Sequence, residues 1–174
     1  MQTFLNSRWD LTSRNEEELS SPEAVSAWFV EHGLFDRPKA LTESDRRRVL
    51  EVREGFRELL FVNNGASEDP EAVARLNREL RAPRVYIQFA AADTPQFKPH
   101  SRDLDGALAL LATIVAVSQI DGSWSRMKAC PGPDCGWAFY DHSRNQASNW
   151  CAMSVCGSRA KVRAYRKRRR DPAT

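Results

Sequence analysis

The sequence predicts a mainly α protein with one small β-hairpin: a helical bundle followed by a small cysteine-rich module that ends in a basic helix. Three observations carry this. Capping residues and a 3.6-residue apolar period mark four helices between residues 20 and 120. The alternating, strand-like stretch in that region falls near residue 85. All four cysteines and the densest run of Arg and Lys are confined to the last fifty residues.

The first helix starts at Ser20-Ser21-Pro22-Glu23. Serine caps, Pro22 suits the first helical position, and Ser20 to Glu23 has capping-box spacing. Val25, Trp28 and Phe29 recur at helical intervals before Gly33 ends the segment. A second helix opens at Thr42-Glu43-Ser44-Asp45 and runs to Asn63-Asn64-Gly65, with Val49, Val52, Phe56, Leu59, Leu60 and Val62 following the helical period. Asp69-Pro70 starts a third, carrying Val73, Leu76 and Leu80. Arg84 to Phe89 alternates as a strand, and a second extended piece around Gln96-Phe97-Lys98 lies between Pro95 and Pro99, so the two are expected to form a hairpin. Asp103 to Ile120 is the most apolar helix, which places it at the centre of the bundle. Asp121-Gly122-Ser123 is a turn, after which Trp, Cys and Arg dominate. The expected units are therefore 1–123, a helical domain, and 124–174, a cysteine module.

Composition narrows the classes. With 174 residues, 41% of them apolar, the chain can bury a real core. No apolar run reaches the length needed to span a bilayer. The opening Met1 to Arg8 lacks the basic and apolar regions of a secretory signal. A reducing cytoplasm is the expected location, and there four cysteines point to metal or redox chemistry more than to disulfides. The net charge of +3 hides a division. Residues 125–174 hold eleven Lys/Arg against three Asp/Glu, a balance of +8, while residues 1–124 hold fifteen against twenty, a balance of −5. An acidic larger part joined to a basic smaller one suggests an anionic partner.

The cysteines Cys130, Cys135, Cys151 and Cys156 are spaced C-x4-C-x15-C-x4-C. Two close pairs separated by a longer loop are what tetrahedral zinc needs from sulfur donors. Cys130-Pro131-Gly132-Pro133-Asp134-Cys135-Gly136 has the Pro and Gly content of a metal knuckle, whose amides can also donate to thiolates. Trp137, Phe139, Tyr140 and Trp150 are expected to form a miniature core around one structural zinc ion. The spacing excludes a redox C-x-x-C and lacks the plant-type iron–sulfur pattern. Four unrelated buried thiols are the bland alternative, and His142 is an alternative donor in place of one cysteine. The resulting module is expected to be treble-clef-like or zinc-ribbon-like.

Behind Cys156, Ser158 is the expected N-cap of a helix made of good helix formers. Arg159, Arg163, Arg166 and Arg170, spaced 4, 3 and 4, share one face. Val162 and Tyr165 lie on another, expected to pack on the zinc core. Arginines in a row on a pinned helix suit phosphate. A solvated terminal helix that merely keeps the chain soluble is the plainer reading.

At these residues the chain resembles a known family. Cys-Gly-Trp-Ala-Phe-Tyr-Asp-His-Ser-Arg, Asn-Trp-Cys-Ala-Met and Cys-Gly-Ser-Arg-Ala-Lys-Val-Arg, all within Cys130 to Arg170, resemble the CGNR zinc finger. Phe4-Leu5-Asn6-Ser7 and the Ala27-Trp28-Phe29 helix resemble the opening of the ABATE domain that precedes that finger in bacterial stress-induced transcription regulators. The resemblance implies zinc on the four cysteines and the signature tetrapeptide on Cys156, Gly157, Ser158 and Arg159. Ser158 stands where the family has Asn, and Asn149 where a second arginine usually precedes the Trp.

No nucleophile–base pair, phosphate-cradling glycine loop or H-E-x-x-H is present, so an enzyme is not expected. The expected function is a DNA-binding transcription regulator that presents Arg159, Lys161, Arg163, Arg166, Lys167 and Arg170 to phosphate. Two alternatives stand beside it: a small-molecule-binding or protein-interaction protein whose zinc module is purely structural, and an RNA-binding protein. Arg53 and Arg57, sharing a helix face, are candidates to bind an anion or effector, with bridging to Glu54 or Glu58 as the plainer reading.

Overall fold

The computed structural model describes residues 1–8, 17–91 and 94–170. The C-terminal end of the basic module, 171–174, lies outside the described residues, as do 9–16 and 92–93 of the helical part. The elements run α1 (Gln2–Asn6), α2 (Pro22–Glu31), α3 (Glu43–Asn63), α4 (Pro70–Glu79), β1 (Val85–Gln88), β2 (Gln96–Pro99), α5 (Leu104–Ile120), β3 (Met127–Ala129), β4 (Ala138–Tyr140) and α6 (Ser158–Arg170). A 3-10 turn at Ser123–Arg126 precedes β3, and a π-helical turn at Met153–Gly157 precedes α6. The mainly α architecture with a small hairpin and a C-terminal cysteine module is as the sequence predicts.

Local chemistry sets the helix starts. The Ser21 hydroxyl accepts from the Ala24 amide at 3.1 Å, so Ser21 and not Ser20 caps α2. Ser20 would place Pro22 one residue too deep, since proline belongs at the first helical position. Thr42 and Asp45 form a reciprocal capping box on α3, with Asp45 N–H donating to Thr42 at 3.2 Å and Thr42 N–H to Asp45 at 2.8 Å. Asp69 caps α4 ahead of Pro70, and Asp103 caps α5. β1 and β2 pair antiparallel in the register Val85↔Pro99, Tyr86↔Lys98, Ile87↔Phe97 and Gln88↔Gln96.

The centre of the molecule is α3, not α5. It packs on α1, α2, α4, α5 and β3, and its Val49, Val52, Phe56 and Leu60 meet Phe4, Leu5, Val25, Phe29, Leu108 and Leu111 in one cluster. α5 is more apolar but covers the bundle from one side, leaving Ile114, Val117 and Ile120 exposed. Apolar content records how much surface an element can bury. It does not record against which neighbours, and the longest amphipathic helix takes the central place here. No described helix is long and apolar enough to cross a membrane.

Candidate metal centre and basic helix

The β3–β4 hairpin is antiparallel, with Met127↔Tyr140, Lys128↔Phe139 and Ala129↔Ala138 opposed. Its tip is the knuckle. Cys130 N–H donates to Trp137 O at 2.9 Å, Gly136 N–H to Cys130 O at 3.2 Å and Cys135 N–H to Gly132 O at 3.0 Å. Asp134 and Gly136 take positive φ of 58° and 64°, which turns the chain sharply on either side of the second sulfur. The second pair comes from the other side. Cys151 sits before the π-helical turn and Cys156 within it, where the amides of Val155, Cys156 and Gly157 all donate to Ala152 O. One pair on a hairpin knuckle and one at a helix start is the treble-clef arrangement, the first of the two expected.

All four sulfurs lie within 4.8 Å of one another. Cys135 and Cys151 are 3.7 Å apart, Cys151 and Cys156 3.8 Å, and Cys156 and Cys135 3.6 Å. A tetrahedron with metal–sulfur bonds of about 2.3 Å has edges of about 3.8 Å, so the donor set has the right size as well as the right chemistry. The protonation of the thiols agrees. Cys130 is held well below its ordinary value, chiefly by its hydrogen bond with Cys135 and further by the amides of Cys151 and Gly132. Cys135 is pushed up, chiefly by that same bond, and Cys151 is pushed up to about 12, chiefly by burial. Thiolates gathered this closely repel one another, and a bound cation offsets that charge. Four sulfur ligands leave no open coordination position, so the site is a single structural zinc site.

His142 takes no part. It is exposed and its ring packs against Tyr140 at 4.9 Å. Phe139, Trp137 and Trp150 surround the sulfurs as expected, but Tyr140 faces away toward His142.

The module is joined to the helical part by contacts that sequence reasoning missed. Asn63 donates to Trp124 O at 2.8 Å and Met127 O at 2.9 Å, and Asn64 donates to Ala129 O and Asn149 O, both at 2.9 Å. Asn6 exchanges two bonds with Ala138, donating to its O at 2.9 Å and accepting from its N–H at 2.8 Å. Trp124, Ala129 and Ala138 belong to the same apolar cluster as α3. Beneath the finger loop, buried Lys128 pairs with buried Asp141 at 2.8 Å and also donates to Gln146 O and Ser148 O. Burial alone would raise the Asp141 carboxyl, but the Lys128 ammonium and the Ser143 and Ser148 donors hold it well below the usual carboxylate range. Asn63-Asn64 reads in sequence as helix punctuation, and only the Asp141-x-Ser143 turn spacing carries a local trace of the rest.

Arg53 and Arg57 find their anions inside the chain. Arg53, 2% exposed, meets Glu17 at 2.6 and 2.7 Å, Glu54 at 2.9 Å and the Ser7 hydroxyl at 3.0 Å. Arg57 donates to Glu54 at 2.8 Å, to Gly136 O at 2.6 Å and to Leu5 O. Burial pushes the Glu54 carboxyl up, yet the two guanidinium groups more than offset this and keep it below its ordinary value. Every nitrogen of both arginines is engaged, so the plainer reading, a bridge through Glu54, is the arrangement found. Arg57 also ties α1, α3 and the knuckle together.

α6 behaves differently. Ser158 does not cap it: the residue is helical at φ −65°, ψ −43°, and its hydroxyl donates to Met153 O at 3.1 Å. The helix instead continues from the π-helical turn, so Ala152 serves as the true start. Val162 and Tyr165, expected on the zinc core, are 47% and 55% exposed. The helix leaves the module axially and packs mainly on the turn before it. It carries eight Lys/Arg and no acidic residue in thirteen positions, and none of its side chains is buried. Arg159, Lys161, Arg163, Arg166 and Lys167 make no hydrogen bond or ion pair with any described residue. Arg169 lies over the Tyr165 ring at 5.9 Å, and Arg170 ends the described helix in an exposed position.

Fold and site together define a helical protein with a structural zinc finger built into one end. The chain belongs to the ABATE family: residues 2–121 match that family, described as "Putative stress-induced transcription regulator". Residues 126–169 match the CGNR zinc finger. A comparison with proteins of curated function found no match.

Proposed function

We propose that the protein is a zinc-dependent, DNA-binding transcription regulator, not an enzyme, in which α6 contacts the phosphate backbone. One observation carries the reading. Five cationic side chains, Arg159, Lys161, Arg163, Arg166 and Lys167, stand unpaired on a helix whose base is held by two zinc ligands. The buried cations of the rest of the chain are satisfied: Arg53, Arg57 and Lys128 are fully partnered. Leaving a concentrated positive charge without counter-charge raises self-repulsion within the helix, because like charges at i,i+4 destabilise it. A polyanion relieves that repulsion. At about 1.5 Å per residue α6 is roughly 20 Å long, a length and width that a DNA major groove admits.

The test is retardation of duplex DNA across a salt series with zinc-loaded protein. The expected log–log slope is about −0.9 per phosphate neutralised, so about −4.5 for five contacts. Changing Arg163 and Arg166 to alanine together should flatten the slope by about 2 while zinc content stays at one per chain. Binding that ignores salt, or no binding to any duplex, would refute the proposal.

The alternative of a purely structural zinc module draws support from the burial of Trp124, Ala129 and Ala138 in the helical core. That burial leaves α6 exposed, so the two roles are compatible. An RNA-binding role would show as preference for single strands over duplex DNA, with bases stacked on exposed Tyr165.

A further inference from the structure

The surface opposite in character to α6 lies on α5 and the β1–β2 hairpin. From Gly106 to Ile120, α5 contains no charged residue. A helix apolar all round is ordinarily buried all round, yet this one exposes Ile114, Val117 and Ile120. The hairpin has the same anomaly. Its register puts Val85, Ile87, Phe97 and Pro99 on one face, and Phe89 follows at the end of β1. Every residue of β1 is exposed, and neither strand pairs with any other described strand. A two-stranded hairpin by itself is marginal in water, and free apolar edges invite pairing.

The two surfaces are continuous. α5 packs on both strands, and it does so through Gly106, where a Cβ would collide with Ser101 O and press on Pro99. Gly106, Leu110, Thr113 and Val117 are spaced 4, 3 and 4, so the side of α5 that meets the hairpin runs on through half-buried Leu110 and Thr113 to exposed Val117 near its C-terminus. Val85, Ile87, Phe89, Phe97, Ile114, Val117 and Ile120 are between 37% and 85% exposed. Multiplied by ordinary whole-residue areas, these fractions give roughly 700 Å², against about 800 Å² contributed by each partner to a stable interface. Monomers rarely leave an apolar patch of this size uncovered.

We infer that this face joins two copies of the chain about a two-fold axis. The occupant follows from the charge pattern. In an isologous contact each patch meets itself, which any net charge would penalise, and the helical stripe at its centre carries none. A partner recognised by charge would need the opposite, a charged rim on α5. The pairing also fits the position of the finger: α5 leads directly through the 3-10 turn at Ser123–Arg126 into β3, and Trp124 is locked to Asn63. Joining two α5 helices therefore sets the separation of two zinc modules and their α6 helices.

The experiment is sedimentation velocity on the full zinc-loaded chain in the absence of DNA, so its result is independent of the DNA reading. A dimer at micromolar concentration is expected. Ile114→Glu combined with Ile87→Glu should raise its dissociation constant by at least about 100-fold, because the two-fold axis repeats each buried charge. Zinc content and far-ultraviolet circular dichroism would report whether that variant folds. Hydrogen exchange on the unaltered protein gives a second reading: amides of 85–89 should exchange more slowly at high than at low concentration. A monomer at 100 µM, a dimer indifferent to both substitutions, or concentration-independent exchange at 85–89 would each overturn the inference.

Discussion

The two halves of the zinc module obey opposite rules. The β3–β4 hairpin turns inward: its Ala129 and Ala138 lie in the helical core, Lys128 is buried against Asp141, and α3 grips it through Asn63, Asn64 and Arg57. α6 turns outward, carries eight cations and buries none of them. The zinc ligands lie on both halves, Cys130 and Cys135 on the hairpin side, Cys151 and Cys156 on the helix side. The metal is thus the joint between a part held by packing and a part held by almost nothing else. A basic helix of this composition is disfavoured as an isolated element, since its like charges repel and short helices are marginal even without repulsion. Fixing its first turn from outside removes the costly step of nucleation.

That contrast can be broken at its joint, with the largest effect. Stripping the metal with a chelator, or changing Cys130 to Ser, should remove on the order of 10 kcal/mol of coordination free energy. The loss is expected in both halves, as reduced α6 helicity by circular dichroism and as a lower Tm for the whole chain. If only the α6 signal changed, the hairpin would owe nothing to zinc.

Next in size is the buried pair beneath the finger loop. Asp141→Asn leaves the Lys128 ammonium buried without its counter-charge, which costs about 3–5 kcal/mol. The pH dependence follows from the depressed carboxyl of Asp141. Its stabilising share is fully present above the unfolded value near pH 4 and is lost as pH falls below that. Asp141→Asn should therefore lower stability at pH 7 and show a shallower acid limb in urea titrations. An acid limb as steep as before would mean that Asp141 is not the group responsible.

Smaller again are the asparagine clamps. Asn64→Ala leaves the carbonyls of Ala129 and Asn149 without their donor, an expected cost of about 1–3 kcal/mol for the buried acceptor. Denaturant midpoints should fall with zinc affinity nearly unchanged, since no sulfur moves. At the far end of the scale, Arg163→Ala and Arg166→Ala remove no hydrogen bond or ion pair with a described residue and should change stability by no more than about 0.5 kcal/mol. A larger loss would show that α6 is packed after all, and the contrast between the two halves would fail.

The pattern of what was legible follows the reach of each interaction. Helix starts were readable because caps act over three residues: Thr42 with Asp45, Asp69 with Ala72, Asp103 with Gly106. On α2 the capping-box spacing points to Ser20 while the structure uses Ser21, which shows how little a one-residue shift alters the sequence signal. The metal site was readable because tetrahedral coordination demands paired sulfurs and only four cysteines exist. Ser158 was misread as a cap because the π-helical turn before it has no sequence signature. Val162 and Tyr165 were misread because helical spacing reveals which residues share a face and is silent on whether anything lies opposite.

By itself the chain's order of residues determined helices α2 to α6, the β1–β2 hairpin, the four metal ligands and the stripe of arginines. These arise from neighbours within a few positions or from a donor set too small to be ambiguous. Tertiary structure alone decided that α3 is the centre, that Arg53 and Arg57 are satisfied from within, and that the zinc hairpin is sealed into the core. Contacts such as Asn6 with Ala138, 132 residues apart, leave no periodic mark, because a hydrogen bond to a backbone carbonyl places no demand on the identity of the residue that bears it.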